Sequence, residues 1–333
     1  MKIFNIKNYA ICLIITILFA CLRILDPFFI ETARLKGLDY YQNTQEKVKS
    51  ENIAIIEIDE DSLDEYGQWP WKRDLIAQGI IKAYESGAQL VVVPILFAEK
   101  DRLGGDQELV ELLNEAPVII GQSASTKGKG DPVPRGLATI GESLDGWLFD
   151  YPEAIGPVKE LGEVAAGVGM ILTAPELDGV VRRMPLVIQI KGEAYPTIPL
   201  EVIRLFSGEQ SYQAKVSEAG VEAIRVPGFD PIVTDENSRV WVNFKYEFDK
   251  VSFKDADWSA VQDKIAVIGI TGEGLANTIA TSTGISYGHE VNCHALQMII
   301  DESRLVRPAE AKLLEVLITA AFCSLLIIGA LFL

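Results

Sequence analysis

Histidine is almost missing from this chain: 333 residues hold only two, His289 and His294. With Glu290 and Cys293 they spell H-E-x-x-C-H, which puts His289 and Cys293 on one helical face. There is no H-E-x-x-H and no second ligand cluster, so the residues read as part of a structural helix, with no metal and no cofactor. Cysteine is scarce too, at four. Cys12, Cys21 and Cys323 fall in or beside apolar runs and leave Cys293 alone between them, so no disulfide forms there and the redox compartment is left open. Basic charge is short: 30 Lys and Arg against 47 Asp and Glu, a net −17, which excludes a general nucleic-acid binder. No G-x-S-x-G elbow, Walker A loop or G-x-G-x-x-G fingerprint occurs. What is abundant is apolar: 49% hydrophobic residues exclude disorder, and 27 Gly with 15 Pro show no fibrous period.

The apolar residues concentrate at the two ends. Lys2 and Lys7 precede Tyr9–Leu22, Arg23 interrupts, and Ile24-Leu25 and Phe28–Ile30 continue around Asp26-Pro27. Leu313–Leu333 is apolar except for Glu315. A spanning helix needs about 20 such residues, so the expectation is transmembrane helices over 9–30 and 313–333. The first reads either as a cleavable signal peptide or as a retained helix, and retention is favoured because apolar residues run on past Cys21 and a second apolar run closes the chain. The lysines put residues 1–8 in the cytoplasm and 31–308 outside. Arg304, Arg307 and Lys312 oppose that orientation, but the charge bias weakens for loops beyond roughly 60 residues. A chain that ends inside an apolar run also suggests a longer protein.

The middle alternates strand and helix. Ile53–Asp59 is a short β-branched run. Asp74–Ser86 carries a helical stripe closed by Gly87, and Leu90–Phe97, Asp106–Glu115 and Val118–Gly121 continue the alternation. Residues 123–163 show no period. Asp178-Gly179 lies between Val164–Thr173 and Val180–Ile190 and predicts a hairpin. Pro196–Phe206 reads as a helix, Gly208–Pro231 as loop with one short strand, Val240–Phe244 and Ile265–Ile270 as strands, and Glu290–Glu302 as the last helix before the second apolar run. The expected fold is therefore one α/β domain: a mostly parallel or mixed sheet covered by helices on both faces, flanked by membrane helices.

Candidate ligand residues are few. Asp59 ends the first strand, where open α/β sheets take ligands, and Glu57, Glu60 and Asp61 surround it with acid. That cluster suits a cation or a general base, as in a hydrolase; equally, Asp59 braces the loop by bonding Arg73 or backbone N–H groups. Trp69 and Trp71 offer an aromatic wall for a ligand, or packing beside the helix start. Arg182 and Arg183 point to opposite sides of their strand, so one of them is expected beside Asp59, Trp71 and Arg73. Gly269–Gly274 follows a strand, and its N–H groups would suit an anion if a helix opened there.

Several motifs in order resemble one family. Ile53–Leu63 followed by Gly67-Gln68-Trp69-Pro70-Trp71-Lys72-Arg73 is similar to the opening signature of the second-type CHASE domain. So are Ile95–Glu99, Asp178–Leu186, Tyr195-Pro196, Trp241–Phe244, Lys264–Gly269 and Glu290–Leu296. Pro94 stands where that family usually has aspartate, Asp263 replaces a glycine, and Asn292 and His294 occupy exchanged positions. The resemblance implies an extracytoplasmic sensor in the bacterial inner membrane that answers a small-molecule or environmental stimulus. It further implies a homodimer and an output domain past Leu333: an adenylate or guanylate cyclase, or otherwise a histidine or Ser/Thr kinase. It assigns no ligand site.

Overall fold

The computed structural model describes residues 6–307 and 311–332. Residues 1–5 of the expected cytoplasmic segment, Pro308 at the expected domain boundary and Leu333 lie outside them. Chain contacts divide the molecule into two units, the ends (residues 1–43 and 306–333) and the centre (44–305).

In the terminal unit α1 (Ile6–Leu25) stops at Asp26-Pro27, and α2 (Phe28–Thr44) follows. Proline has no N–H to continue a helical ladder, and residues 13–25 and 28–44 meet there at 71°. The expected span 9–30 is thus interrupted. Among the described residues no single helix is long and apolar enough to cross a membrane, although this bent pair together has the length and composition. α9 (Ala311–Phe332) packs on α1. The charges that interrupt the two apolar runs meet there, Arg23 pairing with Glu315, and Glu315 also lies 2.9 Å from Arg307.

The central unit begins with β1 (Val48–Ile58), α3 (Glu60–Tyr66), α4 (Arg73–Glu85), β2 (Leu90–Leu96), α5 (Asp106–Glu115) and β3 (Val118–Ser125). β4 (Leu137–Gly141), β5 (Asp150–Tyr151), β6 (Glu153–Ile155), α6 (Lys159–Val164) and β7 (Gly167–Met170) come next. Then follow β8 (Arg183–Pro185), β9 (Val187–Ile190), β10 (Glu193–Pro196), α7 (Ile198–Ser207), β11 (Tyr212–Ser217), β12 (Gly220–Arg225) and β13 (Ile232–Val233). The unit closes with β14 (Arg239–Trp241), β15 (Tyr246–Ser252), β16 (Ile265–Ile270), β17 (Thr278–Thr281), β18 (Gly284–Tyr287) and α8 (Gly288–Ile300).

The main sheet has the order β15-β1-β16-β2-β3. β7 runs parallel along the first half of β3 and β6 antiparallel along its end; all the other pairings are parallel. Alternation on β1 sorts the core. Ile53 and Ile55 face α7 and α8, whereas Ala54, Ile56 and Ile58 join Ile76 and Ile80 of α4, Leu109 of α5 and Leu161 of α6. Helices therefore cover both faces, as expected. They approach the sheet over glycines: a Cβ on Gly269 would lie 2.3 Å from His289 Nε2, and one on Gly169 would lie 2.7 Å from Ile198 Cα.

The sheet is not alone, because the described residues form four smaller sheets as well. Segments read as loop supply several of their strands, and β6 of the main sheet. Residues 123–163 hold β4, β5 and β6, Gly208–Pro231 holds the β11–β12 hairpin, and β15 had no expectation at all. The hairpin expected across Asp178-Gly179 does not form. β7 takes the edge of β3, β8 pairs with β14, and the turn closes only locally through Glu176 N–H to the Val180 carbonyl. The hairpin is instead β9–β10, turned by Lys191 and Gly192 at φ of 53° and 85°, the twist that suits tight hairpins.

Candidate functional site

The six residues singled out from the sequence separate into three places. Asp59 braces. It caps α3, and its Oδ1 accepts Ser62 N–H at 2.9 Å, Ser62 Oγ at 2.6 Å and Ser252 Oγ at 2.8 Å. Burial opposes its charge, but these donors outweigh burial and hold the carboxyl below the usual range, which makes it a weak proton acceptor. The acids near it are engaged elsewhere: Glu57 with Lys250 at 3.1 Å, Asp61 with Lys254 at 2.9 Å, and Glu60 with Glu273 N–H at 2.5 Å. That last bond occupies the N–H at the Gly269–Gly274 turn, and no helix opens there because β17–β18 intervenes.

Arg182 and Arg183 sit in a second place. Arg182 is fully buried and reaches Asp178 with both ends of its guanidinium, at 2.9 and 2.8 Å. Arg183 holds Glu176 at 2.6 and 2.7 Å and Asp235 at 3.2 Å, with its guanidinium 4.6 Å above the Trp241 ring. These contacts go to the turn before β8, to Asp235 and to Trp241 of β14, and none of them goes to Asp59 or Arg73. Arg73 in turn donates to Asp106 and to the Glu99 carbonyl, so the expected Asp59–Arg73 bond is replaced.

Trp69, Trp71 and Arg73 do come together, in a third place. They line a cavity of about 520 Å³ with Pro94–Arg102, Lys129 and Ile270, at the carboxyl ends of β2 and β16. Volumes of roughly 300–1,000 Å³ at this edge of a parallel sheet are where small ligands bind. Trp71 is 6% exposed, donates to the Gly67 carbonyl at 2.6 Å, and sets its ring tilted 5.1 Å from Phe253 and edge-on 5.5 Å from Tyr66. It is core. Trp69, at 5.7 Å from Trp71, keeps a partly open face. Arg73 is buried over the Phe97 ring, 5.3 Å away. Phe97 follows from the strand-end rule once β2 is placed. Lys129 belongs to the stretch without period, and nothing in the sequence marks it.

His289 and His294 are buried on α8. His289 stacks at 5.6 Å on Tyr287, and His294 lies among Phe244, Tyr246 and Phe248 at 5.0–6.3 Å. Loss of water lowers both, to about 4 and about 3, and Lys250 adds to this while Glu290 opposes it. Burial also disfavours the charge on Glu290, but Lys250, Ser286 and Tyr287 N–H outweigh it and hold its carboxyl at about 2. Burial pushes the Cys293 thiol up. Among the described residues no group of three or more His, Cys, Asp or Glu is placed to hold a metal ion. The H-E-x-x-C-H run packs a helix.

Both chain ends of the central unit fasten to one segment. Gln45 Nε2 lies 3.4 Å from Asn243 Oδ1, and Lys47 Nζ donates to the Phe244 carbonyl at 2.9 Å. At the other end Asn243 Nδ2 reaches the Ser303 carbonyl at 3.4 Å, Tyr246 bonds Ser303, and Leu305 bridges Trp241.

No curated protein and no solved structure matches the chain. A family model described as the CHASE2 domain matches residues 12–331, nearly all of it, and the chain is therefore a member of the CHASE2 family, extracellular sensor domains of signalling receptors.

Proposed function

We propose that residues 44–305 are the extracytoplasmic sensor of a bacterial transmembrane receptor, anchored in the inner membrane by α1 and α9. In this reading the receptor is a homodimer that relays its stimulus to a cytoplasmic adenylate or guanylate cyclase. The observation that carries the reading is the convergence of Gln45, Lys47, Ser303 and Leu305 on Trp241–Tyr246. One segment thereby grips the chain as it enters and as it leaves, so a shift of that segment displaces both connections together. The Arg23–Glu315 pair supports the anchor, since charges in apolar helices are tolerated when they neutralise one another. A stimulus drives such a relay only by the difference in its affinity for two states of the domain.

Two experiments test the placement and the relay. Leu177 is 86% exposed; a Leu177→Cys receptor is expected to react with a membrane-impermeant maleimide from the outer side of the inner membrane, and labelling only after lysis refutes the placement. Four Gly-Ser residues inserted after Ser303 of the whole receptor are expected to uncouple output from stimulus. An unchanged response sinks the relay.

A further inference from the structure

Charge at the cavity beside Trp69 runs against the composition of the chain. The whole sequence has 47 acidic and 30 basic residues, yet the cavity is lined by Arg73, Lys100, Arg102 and Lys129 against Glu99 and Asp101. Both carboxylates are already committed. Glu99 lies 2.6 Å from Lys129 Nζ, and Asp101 accepts the N–H groups of Arg73 at 2.8 Å and Leu103 at 2.9 Å. Of the cations, Lys129 answers Glu99 and Arg73 is paired with Asp106, which leaves Lys100 and Arg102 at the mouth. Lys100 is 3.5 Å from Glu160 with both side chains in solvent, and the Arg102 guanidinium has no ion pair among the described residues. The remaining lining is apolar: Trp69 with its open face, Phe97, Ile155, Ile171 and Ile270.

A cationic rim around an aromatic and aliphatic floor favours one kind of guest. We propose that this cavity binds a small organic anion, a carboxylate carried on a flat aromatic body; the proposal rests on the sensor reading and names the ligand class it would take. The carboxylate meets Arg102 and Lys100 at the mouth, where charge-assisted hydrogen bonds are strong, while the ring lies against Trp69. An organic cation is repelled by the same rim, and a bare inorganic anion leaves the aromatic wall uncovered. The larger cavity, about 710 Å³, has no such character: its lining sets Arg135 against Glu142, Asp145 and Glu193 and contains no aromatic side chain.

The site also has a route into the fold. Pro94 lines the cavity and, as well, a void of about 10 Å³ bounded by His289, Asn292 and Cys293 of α8. The β2–β3 register shifts between Val93 and Leu96, around this residue, which cannot donate to the ladder. Pro94 thus stands between the cavity and the helix that leads to Ser303.

The test is calorimetric titration of the whole chain in nanodiscs with 2-naphthoate, 2-naphthamide, 2-naphthylmethylamine and acetate. The naphthoate is expected to bind at least tenfold more tightly than the amide or the amine, with no heat from acetate. The exposed charge reversals Lys100→Glu and Arg102→Glu together are expected to weaken naphthoate at least tenfold and leave the amide unchanged, while Trp69→Ala weakens both. Equal affinity for naphthoate and amide, no binding of either, or indifference to the charge reversals overturns the proposal. Loss of binding with Leu177→Cys still labelled from outside removes the ligand class and spares the sensor; intact binding with labelling only after lysis does the reverse.

Discussion

The helices on the two sides of the main sheet bury different chemistry. Under α4, α5 and α6 the interior is aliphatic and aromatic, with Ile56, Ile76, Ile80, Leu109 and Leu161 at its centre and the buried Arg73 only at the start of α4. α7 and α8 add Glu201, Arg204, His289, Asn292, His294 and Gln297 to an otherwise similar core. An apolar face stabilises by area removed from water and is indifferent to pH. A face that buries titratable groups is held only while those groups keep one protonation state, and it loses much if a partner is deleted. The contrast makes the α7–α8 side the sensitive one and the α4 side the rigid platform on which the cavity opens.

The strongest way to break the contrast is at Glu201. It is fully buried and receives Arg204 Nε at 3.1 Å, Arg204 Nη2 at 2.8 Å and the Tyr212 hydroxyl. Glu201→Ala leaves Arg204 buried without its counter-charge and is expected to cost about 3–5 kcal/mol in urea denaturation. A loss under about 1 kcal/mol would mean that the pair is dispensable.

Acid is the next probe. His289 and His294 have folded pKa values near 4 and 3 against about 6.5 unfolded. Above pH 6.5 neither state binds the proton, so nothing changes. Below it the unfolded chain takes up protons that the folded chain refuses, and stability falls as pH drops toward 4, on the order of 3 kcal/mol for each histidine. His294→Phe, in a site already formed by Phe244, Tyr246 and Phe248, is expected to flatten part of that slope. Identical slopes for the parent and the variant would refute the assignment.

Smaller effects sharpen the other side. Asp59→Ala removes a cap that accepts three donors and is expected to cost about 1–2 kcal/mol. It should leave binding at the cavity unchanged; a lost site would return Asp59 to a ligand role. Ile80→Val, in the apolar core, is expected to cost about 1 kcal/mol, equally at pH 7 and pH 5. A cost that grows with acid would show that the two faces are not separate.

Much of the central sheet was legible because its strands are buried on both faces and so read as unbroken β-branched runs. β16 and α5 fall where the pattern puts them, and β2 ends within a residue of it. The small sheets were not legible. β4 is mostly exposed and β5 is two residues long, so neither leaves a periodic signature; each exists because a neighbour offers an edge. At the candidate site, Trp69, Trp71 and Arg73 were legible as a group because they are adjacent in sequence and precede a helix. Asp59 was legible as a strand-end acid, but local donors took it before Arg73 could.

The sequence by itself determined the two apolar ends, the alternation that builds a parallel sheet, and the ordered motifs shared with the CHASE2 family. These are local patterns, and local patterns survive translation into structure because each strand or helix carries its own period. Only the tertiary structure decided that Arg182 turns to Asp178, that Lys129 joins Trp69 and Arg102 around one cavity, and that Gln45 and Ser303 meet at Asn243. Those pairings span up to some two hundred residues of chain. They are chosen by which edges and faces remain open once the sheet has closed its core, a competition that no single segment records.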